Sequence, residues 1–160
     1  MPKSTHVMVV AITLGLMACR PPAPDVTAAT QTASDVEYLT TPEMQGLGVP
    51  FSEAVRVGSM LYLSGQLGNI PGTREMAPGG IQGETRQTME NIRAVLERYG
   101  SSMDRVVKCT AMIDDMAEWP AMNEVYAEFF PGPKPVRSAF GADGLALGAK
   151  VEIECWATVG

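Results

Sequence analysis

Residues 134–156 read KPVRSAFGADGLALGAKVEIECW, and their reading decides the fold. They begin two short strand-like runs, Pro135–Phe140 and Lys150–Val159, joined by a Gly/Ala-rich connection with one acid, Gly141–Ala149. In the second run Val151, Ile153, Cys155, Ala157 and Val159 alternate with Glu152, Glu154, Trp156 and Thr158. A period of two is expected of a strand with one buried face. The first run carries a single cation, Arg137, beside the small hydroxyl of Ser138. If the two runs pair or lie close, one arginine and one carboxylate can face a shared cleft.

Working outward, Trp119–Phe130 reads as a helix. Pro120 lies in its first turn, and Met122, Val125, Tyr126 and Phe129 fall on one side. Pro131-Gly132-Pro133 stops it. Asp104–Asp114 reads as a strand rich in Val and Ile. Ile81–Tyr99 is the strongest helix. Ile81, Thr85, Thr88, Met89, Ile92, Val95, Leu96 and Tyr99 recur at three- and four-residue steps, with Glu84, Arg86, Gln87, Glu90, Arg93 and Glu97 on the other side. Gly100 ends it. Further upstream, Phe51–Val57 and Met60–Ser64 read as a hairpin about Gly58-Ser59, and Val36–Thr40 as a first strand. Thr41–Pro50 and Leu67–Gly80 are punctuated by Pro and Gly and read as loops. The order is three strands, helix, strand, helix, two strands. It predicts an α+β domain over residues 36–160, a mixed β-sheet with two helices packed on one face.

Residues 1–19 do not read as part of that domain. Lys3 precedes a short apolar run, Val7–Met17, which ends in Leu16-Met17-Ala18-Cys19. A small residue before a cysteine at the end of such a leader resembles a bacterial lipobox. It predicts cleavage before Cys19, lipidation of Cys19 and an exported protein held at the cell envelope. Residues 20–35, rich in Pro, Ala and Thr, read as a flexible tether.

Composition narrows the function. A chain of 160 residues suggests one domain, and 46% hydrophobic with 19% charged residues suits an ordinary buried core. A net charge of −6 argues against a nucleic-acid partner. The single histidine, His6, falls in the leader, so the remaining chain can build neither a Ser-His-Asp triad nor a histidine-ligated metal site. Cys109 and Cys155 sit in strand patterns and read as buried free thiols. Their spacing does not show whether they lie close enough for a disulfide.

Four pieces occur together: Leu63-Ser64-Gly65-Gln66; the helix GETRQTMENIRAVLERYG; Asn123-Glu124-Val125-Tyr126-Ala127-Glu128-Phe129-Phe130; and Pro135-Val136-Arg137-Ser138 with Lys150-Val151-Glu152-Ile153-Glu154. In that order they resemble the RidA family, also called YjgF or the reactive-intermediate deaminases. The resemblance implies a chorismate-mutase-like fold, a homotrimer with ligand clefts between subunits, and no cofactor or metal. It implies hydrolysis of enamine and imine acids of the 2-aminoacrylate and 2-iminobutanoate type to 2-keto acids and ammonia. Arg137 matches the arginine that holds the substrate carboxylate, and a planar guanidinium suits that task. Glu152 matches the carboxylate that positions or activates water. Ser64 and Gly65 match the strand end bordering the cleft, and Asn123 a helix position near it. Two positions depart from the pattern. Phe51 stands where a tyrosine is frequent, and Ala139 where a cysteine is frequent. An envelope protein would not meet imines made inside the cell. The alternative expectation is therefore a non-enzymatic trimer that binds small carboxylates, with the membrane touched through the lipid alone.

Overall fold

The structure, a computed structural model, describes residues 35–160. The leader, Cys19 and nearly all of the tether lie outside the described residues.

Ten elements follow in chain order: β1 (Val36–Leu39), α1 (Pro42–Gly46), β2 (Ala54–Val57), β3 (Met60–Leu63), β4 (Gln66–Leu67), α2 (Gly80–Arg98), β5 (Val106–Ile113), α3 (Trp119–Glu128), β6 (Val136–Gly141) and β7 (Val151–Thr158). The seven strands form one sheet in the order β1-β2-β3-β7-β5-β6, with β4 also on β7. Only β5 and β6 run parallel; the other pairs are antiparallel. This is the α+β mixed sheet that the element order predicts.

The pleat assigns every residue of β7 to a side. Val151, Ile153, Cys155 and Ala157 are buried and join the core cluster with Leu61, Met89, Ile92, Leu96, Ile113 and Met122. α2 and α3 supply the cover, so both helices pack on one face. Glu152, Glu154, Trp156 and Thr158 point the other way and stay half-buried. On that outer face Trp156 meets Tyr62 edge-on at 5.1 Å, and Lys108 sits 4.7 Å above its ring.

Local chemistry explains the element ends. Val57 pairs with Met60, leaving Gly58-Ser59 as a two-residue turn, and Gly58 takes the positive φ (57°) such a turn needs. α2 closes in a Schellman motif. The Ser101 N–H donates to the Leu96 carbonyl at 2.8 Å and the Gly100 N–H to that of Glu97 at 3.2 Å.

Four expectations need correction. Thr41–Pro50 is not all loop. Thr41 caps a short helix by accepting from the Met44 N–H at 3.2 Å, with Pro42 opening the first turn. Glu84 lies on the buried side of α2, because its carboxylate accepts the Lys150 N–H at 2.7 Å where β7 begins. Pro135–Phe140 and Lys150–Val159 do not pair with each other, since β5 lies between them. Cys109 and Cys155 are not free thiols. They face each other across β5 and β7 with Cα atoms 4.1 Å apart and form a disulfide beneath the helices.

That disulfide closes a 46-residue separation, for which chain entropy gives about 2–4 kcal/mol of stabilisation. Thermal unfolding should shift to lower temperature when Cys109→Ala and Cys155→Ala are combined, and also when the native protein is unfolded under reductant. Equal transitions for oxidised and reduced protein would show that the bond adds nothing to stability.

Candidate functional site

The residues singled out in the sequence fall into two groups. The first gathers around the end of β3. The Ser64 hydroxyl donates to the Ser52 carbonyl at 2.7 Å, and its N–H donates to the Glu53 carbonyl at 3.0 Å. These bonds tie the strand end to the segment carrying Phe51, whose ring is exposed. Gly65 follows, directly against Glu152. A Cβ at position 65 would stand 1.9 Å from the Glu152 Oε1, so a side chain there would push the Glu152 carboxylate from its place; the position serves close approach rather than a special φ. Glu152 itself is held by β7, opposite Met112 of β5 and Leu67 of β4. Ser64, Gly65, Glu152 and, through Ser52, Phe51 therefore belong to one neighbourhood.

The second group lies on the helix face. Parallel pairing puts Arg137 of β6 in register with Cys109, and Ala139 with Ala111. Cys109 and Ala111 are buried on that face, and paired residues share a face. The Arg137 guanidinium rests over the Tyr126 ring of α3, 4.6 Å from its centroid. Ala139 packs against the core beside it. Asn123, one turn before Tyr126 on α3, is half-buried. Asn123, Arg137 and Ala139 are thus brought to one side of the sheet.

Arg137 and Glu152 consequently lie on opposite faces with β5 between their strands. Within the chain the two side chains are not brought together. Hollows in the surface of the described residues are lined by other residues. One, about 570 Å³, lies between α1, the 66–74 loop and α2, with Glu53, Gln66, Asn91 and Arg98 in its wall.

Neither Arg137 nor Glu152 has a side-chain hydrogen bond or ion pair among the described residues. Among the described residues no carboxylate comes within ion-pair distance of Arg137. Burial, and then the nearby Glu154 charge, push the Glu152 carboxyl above its ordinary value. Glu53 makes the contrast. It is equally a carboxylate at the strand ends, yet it accepts from Arg98 at 2.5 Å and from the Tyr99 hydroxyl at 2.6 Å. Glu53 is a paired structural group, whereas Glu152 has no side-chain hydrogen bond or ion pair among the described residues.

Tyr126 is on the apolar side of its helix, as the sequence predicts, but its contact with Arg137 is not among the expectations drawn from the sequence. Its position three residues after Asn123, on the same side of one helix, was the available signal.

Comparison with known proteins shows what the chain and its fold are similar to. The family model described as Endoribonuclease L-PSP matches residues 45–159. The chloroplastic Reactive Intermediate Deaminase A of Arabidopsis thaliana is 35% identical over 139 residues, covering 86% of this chain and 74% of that protein. The 2-iminobutanoate/2-iminopropanoate deaminase of Dermatophagoides farinae is 45% identical over 105 residues, covering 66% of this chain and 82% of that protein. Among solved structures, E. coli TdcF with bound serine superposes with a TM-score of 0.66 at 33% identity, covering 70% of this chain and 90% of that one. RidA from an Antarctic Psychrobacter gives a TM-score of 0.67 at 31% identity, covering 81% and 100%. With the model matched from the first helix to the end of β7, the chain belongs to the Endoribonuclease L-PSP family, the RidA/YjgF proteins.

Proposed function

We propose that the chain is an imine deaminase that works as a homotrimer, with sites completed between subunits. The observation that carries this reading is the separation of Arg137 from Glu152 onto opposite faces of one sheet. Two unpaired charges of complementary use, both borne on rigid strands, make a site when one protomer's helix-side edge meets the outer face of another. Relatives named 2-iminobutanoate/2-iminopropanoate deaminase at 37–45% identity support the same chemistry.

In the proposed reaction the Arg137 guanidinium holds the substrate carboxylate through two parallel hydrogen bonds. Water adds to the electrophilic imine carbon while Glu152 accepts a water proton. The nitrogen is protonated in turn, the C–N bond of the carbinolamine breaks, and ammonia leaves a 2-keto acid. Imines are reactive, so orientation and proton handling account for the rate without a nucleophile. The net charge of −6 gives no support to an RNA substrate.

A second reading has one observation in its favour. A disulfide between Cys109 and Cys155 belongs to an oxidising compartment. It supports the reading of residues 1–19 as a lipoprotein leader that exports the chain, with lipid on Cys19. In that compartment the same cleft could serve as a carboxylate-binding site without turnover.

Three measurements test this. First, 2-iminobutanoate generated by an amino-acid oxidase is trapped with semicarbazide. The trimeric protein should suppress trapping, Arg137→Ala should lower kcat/KM by roughly 100-fold or more, and Glu152→Gln by roughly 10²–10⁴-fold. A clean monomer by light scattering removes the intersubunit site, and an inactive trimer moves the assignment to the binding protein. Second, the raised Glu152 pKa means the folded protein holds that proton more tightly than the unfolded chain. Its ionisation therefore opposes folding as pH rises from the ordinary value of 4.5 through the raised one. Glu152→Gln should raise Tm at neutral pH, with the gain vanishing in acid below the ordinary value. A gain that persists unchanged in acid refutes the assignment. Third, Cys19→Ser should release the protein from the membrane fraction of a bacterial host, and a variant still sedimenting with membranes argues against lipidation at Cys19.

A further inference from the structure

Tyr126 is buried, with 8% of its surface exposed, and its hydroxyl has no hydrogen-bond partner among the described residues. An unpaired buried hydroxyl costs free energy that a phenyl ring would not. The neighbourhood shows that phenyl rings fit there. Phe129 and Phe130 follow on the same chain segment, both buried, and the Phe130 ring packs 5.0 Å from that of Tyr126. Packing alone therefore gives no reason for the oxygen.

The position of the ring does give one. Its face lies beneath Arg137, 4.6 Å from the guanidinium carbon. A stacked guanidinium spends its face on the ring and keeps its in-plane N–H groups free. Those groups have no carboxylate partner among the described residues. An unpaired cation is thus stacked on the ring that bears an unpaired neutral donor, on the helix face of the sheet. Both are satisfied by one ligand type, an anion with two or more acceptor oxygens.

We propose that Tyr126 is a second ligand-binding group of the carboxylate anchor. Its ring fixes the plane of the Arg137 guanidinium, and its hydroxyl donates to an oxygen of the carboxylate that Arg137 holds. The proposal rests on the reading of Arg137 as that anchor. The phenol stays protonated and able to donate through the whole range in which the protein would work, since burial pushes it up to about 12.

The test uses the full-length protein and 2-oxobutanoate, a stable ligand whose binding needs no turnover. Titration calorimetry on Tyr126→Phe should show Kd raised about 5- to 20-fold, with Tm unchanged or higher because the unpaired hydroxyl is gone. Butanoate, which carries the same carboxylate, should lose affinity by a similar factor on the same substitution. Wild-type affinity in Tyr126→Phe overturns the proposal, and so does a change confined to trimer dissociation. If wild-type protein binds 2-oxobutanoate and Arg137→Ala does not weaken it, the anchor reading has failed rather than the role of the hydroxyl. If Tyr126→Phe does not fold, wild-type protein labelled with ¹³C at the tyrosine Cζ answers the same question. A Tyr126 resonance that stays fixed as 2-oxobutanoate saturates the protein overturns the proposal.

Discussion

The pleat of β7 is the constraint on which the rest of the structure depends. This strand pairs with β3, β4 and β5, more neighbours than any other strand has. Because successive side chains must point to opposite faces, burying Val151, Ile153, Cys155 and Ala157 under α2 and α3 obliges Glu152, Glu154 and Trp156 to face away. No rotamer choice can return Glu152 to the helix side. The same rule, carried across β5 by register, sends Arg137 to the helix face beside Cys109. A slip of one residue would exchange the two faces and bury two carboxylates in the core.

Charge follows from that geometry. Buried or half-buried polar groups in this protein mostly find partners: Glu53 with Arg98 and Tyr99, Glu84 with the Lys150 N–H, Ser64 with Ser52. Arg137, Glu152 and the Tyr126 hydroxyl depart from that habit, as does the Arg56 Nε. Unsatisfied polar groups are costly, and in the proposed reading Arg137, Glu152 and the Tyr126 hydroxyl are groups kept for a ligand. Gly65 belongs to the same arrangement, since any side chain there would occupy the space of the Glu152 carboxylate.

Much of this was legible in the sequence, for identifiable reasons. α2 and β7 carry long, regular periodicities, and the Gly58-Ser59 turn has chemistry that few other structures require. α1 was missed because Pro and Gly dominate residues 41–50, yet Thr41 before Pro42 is itself a helix-start signal. Glu84 was misplaced because a carboxylate on the buried side of a helix reads as an error of period until the Lys150 N–H is there to receive it. The pairing of Cys109 with Cys155 is a fact of register, which spacing does not contain. The separation of β6 from β7 was readable, however. β5, α3 and β6 form a strand-helix-strand unit, the connection that parallel neighbours need, and that places β6 beside β5. The residue types of the site came from motifs, while their distribution over two faces came from topology.

That distribution bears on how a small domain without histidine could do chemistry. Orientation is the main resource left to such a site, and orientation requires that its groups sit on elements that do not yield. Arg137 lies on β6, an edge strand held on one side only, which is the weakest support in the sheet. Two features offset this. Tyr126 holds the guanidinium from below. Cys109, in register with Arg137, is bonded to Cys155 of the central strand. The covalent tie thus crosses the sheet one strand away from the arginine, and the ring stack meets the arginine itself. Together they fix both the strand that β6 leans on and the plane of the group it presents.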